Sequence, residues 1–155
     1  MKRIKLDRID RKILKNLQEN GRMTNVELAR EAGISAPPCL RRIRALEESG
    51  FIKGYHARID PAAMGYGVTV FAMVTLNGQS DEVLKKFESL VQTWPQVREC
   101  YVLSGETDFL LKIVAHDWDD YQHFHGEVLT KAPHVVSVRS SLAIRTGKCQ
   151  PGIPI

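Results

Sequence analysis

Residues 35–49 read SAPPCLRRIRALEES and are followed by Gly50. The stretch predicts a helix, because Ser35 can accept a hydrogen bond from a free amide of the first turn, and Pro37 and Pro38 lie where a missing N–H costs little. Gly50 is a suitable stop residue. The predicted buried stripe is Leu40, Ile43 and Leu46, and the opposite side carries Arg41, Arg44 and Ala45, with Arg42 on the flank.

A second short helix is predicted immediately upstream, over residues 24–31 (TNVELARE). Its inward side is Val26, Leu28 and Ala29, and residues 32–34 make a tight turn into the basic helix. A short helix, a turn with glycine and a capped second helix form the helix-turn-helix pattern, whose second helix enters the DNA major groove. The arginines could instead form a solvent-exposed face with no binding role, but the upstream helix favours DNA binding.

The N-terminal region is predicted to contain one further helix and a wing. Residues 7–20 (DRIDRKILKNLQEN) have a cap at Asp7 and an acidic residue at Asp10, and the buried side is Ile9, Ile13, Leu14 and Leu17. Residues 51–60 (FIKGYHARID) alternate in strand fashion and predict a short hairpin or an extended wing. In that wing Lys53, His56 and Arg58 could lie along backbone phosphates.

Charge is distributed unevenly along the 155 residues, which are enough for one large domain or two small ones. The net charge of +4 divides into +6 for residues 1–60 and −2 for residues 61–155. Basic character confined to one segment indicates a polyanion partner for that segment. We expect no secretory signal in MKRIKLDRID and no membrane span.

Three cysteines, Cys39, Cys100 and Cys149, are widely spaced and form no CxxC motif. This pattern predicts neither a zinc site nor a disulfide framework, and it fits the reducing cytoplasm.

The second half of the chain predicts alternating strands and helices. The strands are residues 68–76, 97–104, 109–115 and 135–144, and the helices are residues 80–93 and 118–130. This β-α-β-β-α-β order is ferredoxin-like, with both helices on one face of an antiparallel sheet. The other face is predicted to be apolar, with Phe71, Met73, Val102, Leu110 and Val138 as candidates. A second copy packed sheet against sheet is the simplest partner for such a face.

These patterns divide the chain into four parts. We predict a DNA-binding domain with a wing over residues 1–60, a linker over 61–67 and a ferredoxin-like oligomerisation domain over 68–146. The tail, residues 147–155 (GKCQPGIPI), is predicted to be extended, and its apolar end could pack on a neighbour.

Four segments resemble the Lrp/AsnC (leucine-responsive/asparagine regulator) family of transcription factors. They are LDRIDRKIL, NVELARE, SAPPCLRRIRALEESGFIKGY and VLSGETDFLLKI, and the resemblance runs from about residue 6 to the tail. It implies an α+β protein with an N-terminal winged helix-turn-helix and a ferredoxin-like effector domain. It also implies a regulator that forms homodimers and often octamers, and that binds amino acids near the loop joining the second and third predicted strands, at contacts between dimers. We expect a cytoplasmic, nucleoid-associated protein that needs no cofactor or metal.

The resemblance assigns DNA contacts to one run of residues at the start of the basic helix: Ser35, Ala36, Pro37, Pro38, Arg41, Arg42 and Arg44. Pro37-Pro38 departs from the more usual Ser-Pro or Thr-Pro, which leaves more of the contact to the arginines.

The resemblance places the effector at the loop Gly105, Glu106, Thr107 and Asp108. Backbone amides there would hold a carboxylate and Asp108 an ammonium group, while the alternative is plain turn geometry. Further candidates are Tyr121, His125, Ser140 and Ser141, although Tyr121 at this spacing could be core. The family residue at Ser141 is typically bulkier, so the preferred effector could differ from leucine.

An enzyme of the same fold is the alternative, because some tetrapyrrole decarboxylases of haem biosynthesis resemble this family and use histidines. The second half contains His116, His123, His125 and His134. A decarboxylase would not need the intact basic helix, and no phosphate loop or hydrolase motif is present in the sequence. We therefore predict a regulator rather than an enzyme.

Overall fold

The structure is a computed structural model that describes residues 5–155; residues 1–4, with the basic Lys2 and Arg3, lie outside the described part. The chain forms two compact units. The N-terminal unit contains the chain up to Arg58 together with Lys148–Ile155, and the sheet unit contains Ile59–Gly147. Within residues 5–155, every helix is too short or too polar to span a membrane.

Three helices form the N-terminal unit: α1 (Arg8–Glu19), α2 (Asn25–Ala32) and α3 (Ala36–Glu48). The first two begin with reciprocal capping boxes, Asp7 with Asp10 and Thr24 with Glu27, which satisfy amides that a helix start leaves free. Gly33 ends α2 in the left-handed conformation (φ 73°), and this turns the chain sharply into α3. The predicted helix-turn-helix is therefore present.

The core of the N-terminal unit differs from the predicted stripes at two positions. Val26 is 70% exposed and Leu40 is 39% exposed, so both inward assignments are wrong. Val26 precedes the buried Leu28 by two residues, about 200° around a helix, and therefore points away from the core. Cys39 lies four residues before Ile43 and is buried in the place predicted for Leu40. The buried set is Ile13, Leu28, Ala29, Cys39, Ile43 and Leu46.

Ser35 occupies the cap position of α3, but its side chain makes no capping hydrogen bond. A capping serine accepts from the second or third residue of its helix, and these residues are Pro37 and Pro38, which have no N–H. The predicted cap is therefore wrong, and the Ser35 hydroxyl is not used by the helix.

Residues 51–60 form no regular strand. The amides of Phe51 and Ile52 donate to the carbonyl of Leu46, and the Tyr55 hydroxyl donates to Glu47 at 2.9 Å. The described chain offers this segment no partner strand, so its alternating pattern does not produce the hairpin.

The sheet unit has the predicted β-α-β-β-α-β order and is ferredoxin-like. Its elements are β1 (Val68–Leu76), α4 (Asp81–Val91), β2 (Val97–Val102), β3 (Phe109–Ala115), α5 (Trp118–Phe124) and β4 (Val135–Leu142). The four strands are antiparallel in the order β2-β3-β1-β4, which puts the two strands richest in buried side chains at the centre. A single 3₁₀ turn, Ala62–Met64, precedes β1.

The helix predicted over 118–130 is present from Trp118 to Leu129, but its second half is π-helical and not α-helical. After α5 the chain forms a π-helical turn, His125–Leu129, in which the amide of Thr130 donates to the carbonyl of His125 at 3.0 Å. The wider turn still buries Leu129 together with Tyr121 and Phe124.

The core of the sheet unit lies between the sheet and its helices. Alternate residues of the central strands are fully buried there: Val70, Ala72, Val74, Phe109, Leu111 and Ile113. The opposite side, here called the open sheet face, carries Phe71, Met73, Tyr101 and Leu110. Two predicted members of that face are wrong, because Val138 pairs with Val74 and Val102 pairs with Phe109, which puts both on the helix side.

Candidate functional site

The outer surface of α3 carries two exposed arginines, Arg41 and Arg44. Three residues apart on a helix, they are neighbours on one side, and neither has an ion-pair partner among residues 5–155. Pro37, four residues before Arg41, is exposed on the same side. The surface that α3 presents to a partner is therefore basic and begins at the free hydroxyl of Ser35.

Arg42 has a different environment from its two neighbours. Its Nη1 donates to Asp7 Oδ2 and to Asp10 Oδ1, both at 2.7 Å. Asp10 is buried (7% exposed), and these carboxylates raise the pKa of the Arg42 guanidinium. The backbone N–H of Asp10, followed by the Arg42 guanidinium, lowers the pKa of Asp7. Arg42 thus ties α3 to the start of α1.

A second contact fixes the start of α3. Asn25 Nδ2, in the first turn of α2, donates to the carbonyl of Ala36 at 2.9 Å. Ala36 and Pro38 are half-buried at this junction, so they support the helix more than they extend its surface. Of the seven predicted DNA-contact residues, those exposed are Ser35, Pro37, Arg41 and Arg44.

The β2–β3 loop contains the predicted effector residues. Gly105 and Glu106 are exposed and Thr107 is half-buried, whereas Asp108 is 5% exposed. Gly105 has a φ of 147° with open space where a side chain would begin, so the turn favours glycine for backbone reasons. The loop therefore presents a backbone surface at its tip and a buried carboxylate at its base.

Asp108 is satisfied within the sheet unit. Its Oδ2 accepts from the amide of Leu76 at 2.7 Å, and its Oδ1 accepts from Gln79 Nε2 at 3.1 Å. The Asp108 amide donates to the carbonyl of Val74 at 3.0 Å. The side chain consequently ties the β2–β3 loop to the end of β1, and Gln79, which the sequence reasoning did not single out, is its partner.

The other effector candidates divide between two places. The hydroxyls of Tyr121 and Ser140 are hydrogen-bonded, and the His125 ring centroid lies 5.9 Å from that of Tyr121. Burial raises the pKa of Tyr121. Ser140 pairs with Ala72 on the helix side, whereas Ser141 pairs with Phe71 and belongs to the open sheet face. The structure therefore brings together Tyr121, His125 and Ser140 and separates Ser141 from them.

The loop and the tyrosine cluster lie on opposite sides of β1. The loop joins β2 to β3, while Ser140 is on β4, at the other edge of the sheet. Along β1, Asp108 contacts Val74, and Ser140 pairs with Ala72. Within one copy, β1 therefore lies between the loop and the strand that carries Ser140.

One cavity in the sheet unit was not predicted. It measures about 270 Å³ and lies beside β2, lined by Trp94, Arg98, Glu99 and Cys100 among others. Burial, and to a lesser extent Glu88, raises the pKa of Cys100 to about 11, which favours the protonated thiol at neutral pH. In the described part of the chain, His, Cys, Asp and Glu side chains do not gather in groups of three or more that could hold a metal ion.

Two family models match the chain, one in each half. A winged helix-turn-helix DNA-binding model matches residues 6–53, and the Lrp/AsnC ligand binding domain model matches residues 69–153. The first match includes α1 to α3, and the second includes β2, β3, β4 and all but the first residue of β1.

Relatives align along nearly the whole chain. The leucine-responsive regulatory protein of Rhizobium meliloti is 52% identical over 150 residues, covering 96% of both chains. That of Escherichia coli is 41% identical over 143 residues, covering 92% of this chain and 87% of the relative.

Solved structures agree with the fold. A transcriptional regulator from Neisseria meningitidis, solved as a complex with L-Met, has a TM-score of 0.91 at 36% identity and 97% coverage of both chains. An AsnC family transcriptional regulator from Agrobacterium tumefaciens has a TM-score of 0.89 at 37% identity, with 96% of this chain and 97% of that one covered. These relatives are regulators, and the decarboxylase alternative is not favoured. The chain belongs to the Lrp/AsnC family and is a DNA-binding transcriptional regulator, not an enzyme.

Proposed function

We propose that the protein reads duplex DNA with the Arg41–Arg44 side of α3 and adjusts that binding when the sheet unit takes up an amino acid. The observation that carries the DNA half of the proposal is the contrast among three arginines. Arg41 and Arg44 are exposed and free of ion pairs among the described residues, while Arg42 is held by Asp7 and Asp10.

The proposed DNA contacts follow from this contrast. Arg41 and Arg44 can make bidentate hydrogen bonds to guanine or contact phosphate. The unused Ser35 hydroxyl can donate to a phosphate at the start of the helix, where backbone dipoles also favour an anion. Arg42 then positions α3 and does not contact DNA itself.

The proposed assembly is a homodimer formed through the open sheet face, with larger rings such as octamers built from dimers. Phe71, Met73 and Leu110 give this face its apolar character, and a second copy would remove them from water. A dimer presents two α3 helices to half-sites separated by about 34 Å or a multiple of that distance. We place this activity in the cytoplasm, at the nucleoid.

The proposed effector is an amino acid bound at the β2–β3 loop. The backbone amides of Gly105, Glu106 and Thr107 would donate hydrogen bonds to its carboxylate, and Asp108 would hold the loop in shape through Leu76 and Gln79. The L-Met complex of the Neisseria meningitidis regulator supports this ligand class. Because Tyr121, His125, Ser140 and Ser141 lie elsewhere in the copy, any contact they make would come from an adjacent copy.

A thermal-shift screen of the purified protein with L-methionine, L-leucine and the other common amino acids tests the effector half. A ligand that binds only the folded state raises the melting temperature. At a concentration of 100 times Kd it increases the free energy of unfolding by about 2.7 kcal/mol. We expect at least one amino acid to do so, and Asp108→Ala to abolish the shift. Gln92→Ala, an exposed change outside the loop, is the matched control. If none of the twenty amino acids raises the melting temperature, the proposal of an amino-acid effector is refuted.

A further inference from the structure

The last eight residues, Lys148–Ile155, belong to the N-terminal unit although the chain enters them from the sheet unit. They form no helix or strand, yet they are held at two places. Gln18 of α1 binds Ile153, and Arg58 Nη1 donates to the carbonyl of Cys149 at 3.0 Å. The tail is thus bound to the N-terminal unit by side chains of that unit.

Gln18 recognises the backbone of the tail with both ends of its amide. Its Nε2 donates to the Ile153 carbonyl at 2.7 Å, and its Oε1 accepts from the Ile153 amide at 2.9 Å. A neighbouring strand would satisfy an extended residue with the same donor and acceptor pair. The contact therefore depends on the path of the tail backbone and not on the side chain at position 153, which is 68% exposed.

Gly152 lies directly against the same Gln18 side chain. Its φ is 78°, a conformation that other residues rarely adopt, and a Cβ there would lie 1.9 Å from Gln18 Oε1. Gln18 could turn away from such a Cβ only by giving up its hydrogen bonds to Ile153. Both the conformation and the space at position 152 therefore suit glycine when the tail is docked.

We propose that Gln18 and Arg58 form a peptide-docking site on the N-terminal unit, and that its occupant is the C-terminal segment Cys149–Ile155 of the same chain. With the tail docked, the chain passes between the two units twice, after Arg58 and after Gly147. The tail, which hydrogen bonds hold to Gln18 and Arg58, then gives the sheet unit a second, non-covalent connection to the N-terminal unit besides the covalent linker after Arg58. The second connection leaves from β4, and it limits the conformations that a single linker would allow.

A nitroxide label on Cys149 tests the proposal in the full-length protein. Cys149 is exposed, Cys39 is fully buried, and Cys100→Ala removes the half-buried thiol. We expect an electron paramagnetic resonance spectrum dominated by an immobilised component. Gln18→Ala and Gly152→Ala should each convert most of it to a mobile component, while Glu19→Ala, an exposed change beside Gln18, should leave the spectrum unchanged.

Two results would overturn the proposal: a mobile label in the otherwise unaltered protein, or an immobilised label that neither Gln18→Ala nor Gly152→Ala releases. If Gln18→Ala does not fold, the Gly152→Ala variant, changed only in the tail, decides the question. Neither DNA nor an amino acid is needed, so the result is independent of the proposed function.

A second copy could occupy the site instead, and a mixing experiment separates the cases. Labelled Gln18→Ala protein is refolded together with an excess of unlabelled protein that retains Gln18. A label that stays mobile supports docking within one chain. A label that becomes immobilised means that the tail binds α1 of a neighbouring copy, which would overturn the assignment of the occupant.

Discussion

Replacing Arg42 by alanine separates the structural role of this residue from DNA contact. The variant removes two 2.7 Å hydrogen bonds and leaves the carboxylate of Asp10, whose side chain is 11% exposed, without its cation. Hydrogen bonds to charged groups contribute about 1.5–3 kcal/mol, whereas exposed ion pairs contribute about 0.2–1 kcal/mol. Because the Arg42 side chain is 31% exposed, we expect an intermediate loss of roughly 1–2 kcal/mol.

The assay combines thermal unfolding with DNA titration over a range of salt concentrations. In a small domain such as the N-terminal unit, each kcal/mol of lost stability lowers Tm by about 4–8 °C, so the loss is measurable. The slope of log K against log salt should be unchanged, because Arg42 neutralises no phosphate. Arg42→Lys should recover only part of the stability, since an ammonium group lacks the planar fork of guanidinium.

The control for this experiment is Arg41→Ala, an exposed change on the same helix. It should leave Tm nearly unchanged and weaken DNA binding. The reasoning about Arg42 is refuted if Arg42→Ala retains full stability and reduces the salt slope as Arg41→Ala does. That result would mean that the guanidinium leaves Asp7 and Asp10 to bind phosphate.

Three further results are expected. Arg41→Ala and Arg44→Ala should each reduce the salt slope by about 1 if the side chain contacts phosphate, measured by fluorescence anisotropy with labelled duplex. The capping-box backbone hydrogen bond, followed by Arg42, lowers the pKa of Asp7. The stability that the ionised Asp7 contributes is therefore full above the ordinary pKa of 3.8 and is lost as pH falls through the lowered folded-state pKa. Asp7→Asn should accordingly lose stability less steeply as the pH is lowered. Iodoacetamide at pH 8 should alkylate Cys149 much faster than Cys100, whose pKa is about 11, as peptide mass spectrometry would measure.

Secondary structure was largely predictable because each element has local signals. The strand predicted over residues 68–76 has those bounds in the structure, since Val70, Ala72 and Val74 alternate with less buried residues and leave one clear interpretation. The two capping boxes were equally local, although only the Asp7 and Asp10 pair was predicted. Ser35 shows the limit of this approach, because the prolines after it remove the amides that a cap needs.

It was less predictable which side chains face the core, because the spacing of apolar residues shows how often a buried position recurs but not which residue occupies it. Cys39 and Leu40 are adjacent and both apolar, and only packing against α1 and α2 decides which one is buried. Val102 and Val138 were placed on the wrong face because a strand's facing follows from its pairing register with β3 and β1.

The chemistry of the site was the least predictable part. Arg42 and Asp108 were assigned to ligands from the resemblance, and each has partners more than 25 residues away in the sequence. Those partners, Asp10 and Gln79, use the same atoms that a phosphate or an ammonium group would use. The contacts with Asp10 and Gln79 favour a positioning role for these two charged residues, and sequence spacing gives no sign of such distant partners.

DNA binding by the full-length protein, measured against salt on a duplex selected from a random pool, tests the central claim most directly. We predict selection of a duplex sequence, tight binding at low ionic strength, a linear fall of log K with log salt, and a smaller slope when Arg41 and Arg44 are both replaced by alanine. Failure to bind any duplex at low ionic strength, or a slope that the double substitution does not change, would contradict the account.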